Sequence, residues 1–510
     1  MFIRKKRNSS GSVSIQILKK QGGRKKLVET VGCSKDSETI SGLTIKAKAR
    51  IAELNPQLSF VGMLDSARDK IILEYLKCSS QPSVKTVGPE LILGKIFNSI
   101  GFNKIQDELF KDIVLARLVY PVSKLRTTEY LLQHKGKSIE VTQVYRFLDR
   151  VHIKHKEEIE QIAYEYTKGV LGEISVVFYD MTTLYFEAEQ EDELRKIGFS
   201  KDGKFQNPQI MLGLLVGENG YPIGYDVFEG NTFEGNTLIP VIEGIQAKYG
   251  FDKPIVIADS ALLSKANIEQ LLEQDYQFIL GARIKNESEE FKQKILNKTK
   301  SISDGENVVI EKFDGVRLVI GYSEKRARKD LANREKGLKR LRDRVKNGKL
   351  NKKSINNRGY NKFLTLEGEI KVSVDELKAQ SEQQWDGLKG YITNSTLSAE
   401  KIIKNYNQLW QIEKAFRISK TDLRIRPIFH RKKNRIEAHI CIAFVAYTVF
   451  KELERVLASN KFHLSAQKAI ALSKTIYQLE FTLPDSLIPH YSFALMTEDQ
   501  QKLLEIFSQG

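Results

Sequence analysis

Three carboxylates in this sequence stand where metal-assisted chemistry is conceivable. Glu413 falls in a stretch, residues 396–426, that carries no proline, opens on Ser398 as an N-cap and has Glu400 in its first turn, which predicts a helix of about six turns. Tyr406, Glu413 and Lys420 are spaced by seven residues, two helical turns, and share a stripe with Leu409, Trp410, Phe416 and Arg417. That stripe is otherwise apolar and aromatic and is expected to face protein. A carboxylate there needs a partner, either an ion pair with Lys420 or Arg417 or a metal ion. Asp180 closes the β-branched and aromatic run Ile174–Asp180, and Asp259 closes a second such run from Pro254. Either acid alone reads as a turn or cap residue, and Asp259 would serve as an N-cap ahead of Ser260-Ala261-Leu262. Together, two strand-end acids and one helix acid form the hard-oxygen donor set that a pair of divalent ions needs for in-line phosphoryl transfer.

The surrounding chain supplies elements able to hold these residues. Short apolar runs of this kind suit buried, often parallel strands. Between 173 and 285 the order is strand, hairpin about Glu218-Asn219-Gly220, helix Leu238–Tyr249, strand, helix Ser264–Gln274 and strand Tyr276–Gly281. This predicts an α/β fold, a mixed sheet with helices on both faces, in the order of a ribonuclease H-like core. Residues 286–392 are expected to form a β-rich and basic helical insertion, looped out before the core resumes at 393–458 with the acidic helix. Within that insertion, residues 324–353 hold fourteen Lys or Arg against four acids, a solvated face or a phosphate-gripping one. Residues 1–34 read as a basic hairpin arm. Residues 35–172 read as a helical DNA-binding or dimerisation region, with a candidate helix-turn-helix directing Thr142, Gln143, Tyr145 and Arg146 toward DNA. Residues 459–510 form a small tail.

Composition narrows the setting. Across 510 residues the formal net charge is +17 with a pI near 9.4, which favours a polyanionic partner, nucleic acid before membrane. Cys33, Cys78 and Cys441 lack paired spacing, against a disulfide framework or zinc knuckle and in keeping with a reducing cytoplasm. The apolar run Ile440–Phe450 is too short to span a bilayer, and no hydrophobic signal region opens the chain. A cytoplasmic, nucleoid-associated protein is the expectation.

The ordered motifs YDMTTLYFE, GFSKDGKFQNPQIMLGLLV, FEGNT, VIADS and YNQLWQIEKAFRISKTDLRIRPIFH resemble the DDE transposases of bacterial insertion sequences, above all the insertion-sequence-four superfamily, over residues 174–440. The resemblance implies a ribonuclease H-like fold, two Mg2+ ions (with Mn2+ as a substitute), and hydrolytic nicking of element ends followed by 3′-hydroxyl attack on target DNA. It carries the catalytic and metal-binding acids onto Asp180, Asp259 and Glu413. The family's Tyr-Arg-Glu-Lys helix falls on Tyr406, Glu413 and Lys420, but its Arg position is Leu409 here, so Arg417 is the candidate to supply that charge. Tyr406, Arg417, Lys420, Arg424 and Arg426 are the expected DNA-phosphate contacts. Double-stranded DNA is the implied partner, with a homodimer in the synaptic complex. The competing readings are a ribonuclease H-like nuclease without strand transfer, a catalytically inactive DNA-binding relic, and a glycosidase using the same acids, which the positive charge disfavours.

Overall fold

The computed structural model describes residues 1–21, 23–54, 83–260, 262, 264–313, 315–348, 350, 355–356, 359–367, 371–482 and 489–508. Part of the region 35–172 expected to be helical, residues 55–82, lies outside the described residues. The chain divides into two compact units, Met1–Val84 with Gln478–Ala494, and Lys85–Tyr477 with Leu495–Gly510.

In the first unit, Val13–Gln21 and Arg24–Ser34 pair antiparallel, as their alternation predicts. The basic residues Arg4 to Arg7 are not a loose lead-in: Phe2–Arg7 adds a third strand to the ribbon. Its largely exposed side chains gave no alternation to read. Helix Ser37–Leu54 covers the sheet, with Ala47 packed against Ile15 and Ile17.

The second unit is built on a sheet that comprises, among the described residues, eight strands. They are β1 (Val176–Tyr185), β2 (Gln209–Val216), β3 (Pro222–Glu229), β4 (Ile255–Ala258), β5 (Phe278–Ala282), β6 (Asn307–Phe313), β7 (Val316–Tyr322) and β8 (Leu388–Thr393), in the spatial order β6-β7-β8-β5-β4-β1-β2-β3. The β1–β4 and β4–β5 pairs are parallel and the rest antiparallel. β1 runs on past Asp180, because the β-prone residues from Met181 to Tyr185 continue the antiparallel ladder with β2. Asp180 is therefore mid-strand, not strand-end. β6, β7 and β8 come from the stretch 286–392 and extend the core sheet by antiparallel pairing.

The longer helices that precede β1 in this unit are α1 (Glu108–Val119), α2 (Lys124–Lys135), α3 (Val141–Arg150) and α4 (Lys156–Leu171), after a short helix at Lys95–Ile100. Ser123 caps α2, as its position in the sequence predicts. On α3, Thr142, Gln143 and Arg146 are exposed, although the Gln143 side chain turns back to accept from Glu140 N and close a capping box. Helices α5 (Leu238–Tyr249) and α6 (Lys265–Glu273) cover one face of the sheet, burying Val177, Tyr179 and Val256. α6 is capped by Ser264 rather than Asp259. The basic helix α7 is Glu324–Lys346. The acidic segment follows as α8 (Ala399–Tyr406), a 3-10 turn at Asn407–Leu409, α9 (Trp410–Arg417) and a π-helical turn at Ile418–Asp422. The apolar helix α10 (Lys433–Ser459) joins it on the other face, where Phe178, Ile257, Tyr406, Ile412 and Phe444 share one core. No helix among the described residues is long and apolar enough to cross a membrane.

Candidate active site

The strand register brings two of the three acids together. In the parallel β1–β4 pair Tyr179 lies opposite Ala258, so the next residues, Asp180 and Asp259, occupy neighbouring positions about one strand spacing apart (~4.8 Å). Tyr179 and Ala258 point into the core under α5 and α6; alternation therefore turns Asp180 and Asp259 toward the face that α8 and α9 cover. Burial pushes the Asp180 carboxyl up to about 6; Lys201 and the Met181 N–H oppose that shift, while Asp259 and Glu234 add to it. The backbone N–H of Met181 donates to Asp180 Oδ1 at 2.7 Å.

The third acid arrives on α9, which packs against β1 and β2. The expectation that the whole stripe faces protein needs correction. Tyr406, Leu409 and Phe416 are buried, but Glu413 and Arg417 are exposed and Trp410 is 51 % exposed. The cause is the 3-10 turn at Asn407–Leu409, whose tighter winding advances the chain by about 120° per residue instead of about 100° and rotates Glu413 outward relative to Tyr406. Tyr406 bridges the two halves of the site: burial raises its phenol above its ordinary value, and both Asp259 and Glu413 add to the shift. Its ring packs edge-on against Tyr391 at 4.8 Å.

Cations from three loops and strands complete the site, and sequence reasoning singled out few of them. Lys201 Nζ lies 2.6 Å from Glu234 Oε1 and 3.8 Å from Asp180 Oδ1. Lys389 of β8 sits over the Tyr406 ring at 4.5 Å, and burial and Arg326 lower its pKa while Glu413 raises it. Arg326, in the first turn of α7, also acts on Tyr391 and Tyr406. Lys389 thus brings positive charge within the field of Glu413, in the region where the family's Arg position is Leu409. Lys420, in the π-helical turn, contacts both carboxylate oxygens of Asp202 at 3.4 Å, and Arg426 is ion-paired with the same acid. Arg424 is exposed with a left-handed φ of 46°. The available signal for Lys201, Asp202 and Glu234 was their presence in the GFSKDG stretch and in the second copy of the FEGNT motif, residues 233–237.

The donor set is all carboxylate oxygen, the chemistry that Mg2+ or Mn2+ prefers. Among the described residues no three His, Cys, Asp or Glu side chains close into a finished cage. Even so, Asp259 and Glu234 both bring negative charge to bear on Asp180, which a bound cation would relieve.

Comparison with known proteins identifies a family for the chain. A family model described as "Transposase DDE domain" matches residues 171–449, more than half of the chain. The chain belongs to the DDE transposase family. The matched span runs from just before β1 into α10 and contains all three acids. No curated protein sequence matches the chain. Among solved structures the chain is similar to the piggyBac transposase in a synaptic complex with hairpin DNA, at 10 % identity and a TM-score of 0.37, covering 78 % of this chain and 82 % of that one.

Proposed function

We propose that this DDE transposase is of the insertion-sequence-four type, with a ribonuclease H-like core, and that it cleaves DNA at element ends and joins the 3′-hydroxyl to target DNA. The observation that carries this reading is that Asp180 and Asp259 directly follow the register-paired Tyr179 and Ala258, on the sheet face covered by the helix that brings Glu413, with Tyr406 in the field of both Asp259 and Glu413. The strand–hairpin–helix–strand–helix–strand order of β1 to β5 supports the core assignment. Asp180, Asp259 and Glu413 would hold two divalent ions. Bound there, such ions activate the attacking water or 3′-hydroxyl and stabilise the leaving oxygen.

The remaining work falls to the chain itself. Lys420 and Arg426, on the same side as the acids, would exchange Asp202 for a backbone phosphate, Lys as a point charge and Arg as a fork. Arg417 and Arg424, both exposed, add charge along the path. Lys389 and Arg326 would hold the strand near Glu413, and the Tyr406 ring sets the wall against which it lies. Dimerisation follows from the need to hold two ends together.

The test is a cleavage and strand-transfer assay on DNA carrying candidate ends, with Mg2+, comparing wild type, Asp180→Asn and Glu413→Gln. Cutting and joining by wild type, lost in both variants with DNA binding kept, is the expected result. Cutting without joining would replace the transposition reading with a nuclease, and wild-type-like cutting by either variant would refute the site.

A further inference from the structure

A second cationic site lies apart from the three acids. A cavity of about 370 Å3 is enclosed by α1, the start of α2, the segment after the π-helical turn, and α10. Its charged and titratable lining consists of Arg117, Lys124, Tyr145, Arg424, Arg426, His430 and His439, with no carboxylate among the lining residues. Arg117 and Lys124 are each only 6 % exposed. Among the described residues the Arg117 guanidinium finds neutral partners alone: the carbonyls of Leu423 and Arg424 at 3.4 and 3.5 Å, and His439 Nδ1 at 3.5 Å. The Lys124 ammonium makes no hydrogen bond or ion pair among the described residues. Arg426 is ion-paired with Asp202, which is not part of the lining.

The physical problem is plain. A buried cation without a counter-charge is strongly disfavoured. Here two are buried side by side, and Lys124 is also the first residue of α2, at the positive end of a twelve-residue helix. Burial first, then Lys124, Arg117 and Arg435, lower His430 to about 3, so the imidazole beside the two cations stays neutral and adds no counter-charge. Helix stability alone would place an acid at Lys124.

We propose that this cavity is a phosphate-group site, taking one phosphate oxyanion from the backbone of a bound DNA strand between Lys124, Arg117 and the amino end of α2. Arg426 borders both this cavity and the Lys420–Asp202 pair, so one strand could engage the two places in succession. The DNA source rests on the transposase reading; the oxyanion chemistry does not.

The experiment uses the full chain with Lys124→Met, which keeps the volume and removes the charge, and Arg424→Gln, an exposed lining change that spares the fold. Thermal unfolding is followed with and without inorganic phosphate, and duplex DNA binding is followed by anisotropy across salt concentrations. Wild type should be stabilised by phosphate. Lys124→Met should melt higher than wild type in anion-free buffer, lose the phosphate response, bind DNA about tenfold more weakly and show a salt slope smaller by about one. Arg424→Gln should weaken both responses in the same direction. Equal phosphate responses in wild type and both variants would overturn the site. Loss of the phosphate response with DNA binding unchanged would overturn the DNA source and leave a free-phosphate site. If wild type responds to phosphate but binds no DNA, the cavity stands and the transposase reading falls. Asp180→Asn, which should keep both responses, separates this site from the catalytic one.

Discussion

Lys201 Nζ stands 3.8 Å from Asp180 Oδ1 while donating to the Met181 carbonyl at 2.7 Å. It is also ion-paired with Glu234. Any divalent ion bound by Asp180 competes with that ammonium, since two cations within a few ångströms repel in a half-buried site. Lys201→Met should therefore tighten Mn2+ binding to the DNA-free protein by about tenfold, ~1.4 kcal/mol, as read by titration calorimetry. Weaker binding in the variant would mean that Lys201 organises the carboxylates rather than opposing the ion.

The next residue does the opposite job. Asp202 holds Lys420 and Arg426, the two cations best placed to take a phosphate. Asp202→Asn should free both, raising DNA affinity several-fold at low salt and steepening the salt dependence by one to two counter-ions (roughly). Unchanged affinity and slope would show that the two cations stay clear of DNA.

Much of this was legible in the sequence, and the exceptions share a cause. Helix α5 runs from Leu238 to Tyr249 as expected, because its apolar periodicity ends at Gly250, which takes the left-handed φ of a C-cap. The hairpin at Glu218-Asn219-Gly220 is equally local, with φ of 57° at Asn219 and 76° at Gly220. The outward turn of Glu413 depends on a three-residue change of helix winding that no spacing rule registers. Lys201, Asp202 and Glu234 lie in loops without periodicity, and their roles exist only once β1 and β2 are paired. The joining of β6, β7 and β8 to the core depends on a register between residues as far apart as Ile279 and Thr393, which local pattern does not encode.

Gly281 links backbone packing to the site. A Cβ built there would collide with the Tyr406 hydroxyl and come within 3.2 Å of Ser260 N, beside Asp259. Tyr406 is 6 % exposed and its ring is fixed by Tyr391 and Lys389, so it cannot swing away freely. Gly281→Ala should cost about 1–3 kcal/mol in urea unfolding and, by misplacing the Tyr406 wall, reduce cleavage on the order of 10²-fold. Adding Tyr406→Phe removes the colliding oxygen and should restore most of the stability. A double variant no more stable than Gly281→Ala would place the strain elsewhere.

Asp112 tests what holds the helices before β1 together. It is nearly buried on α1 and accepts from Lys135 and Lys137, both at 2.6 Å, while Lys135 also donates to Glu90 at 2.9 Å. Burial alone would raise the Asp112 pKa, but the two lysines outweigh it and hold the carboxyl below its ordinary 3.8. A carboxyl whose folded pKa is depressed contributes stability that is complete above its unfolded pKa and is lost as pH falls through the folded value. Wild type should therefore lose stability below about pH 4. Asp112→Asn leaves Lys135 buried with Glu90 as its remaining acid, and should cost about 3 kcal/mol at pH 7. Its acid limb should also be shallower by about one proton, because the linked carboxyl is gone. Urea unfolding of both proteins from pH 7 to 3 measures the two effects together. A variant equal to wild type at pH 7 would show that the lysines are satisfied without Asp112, and parallel acid limbs would assign the pH dependence to Glu90.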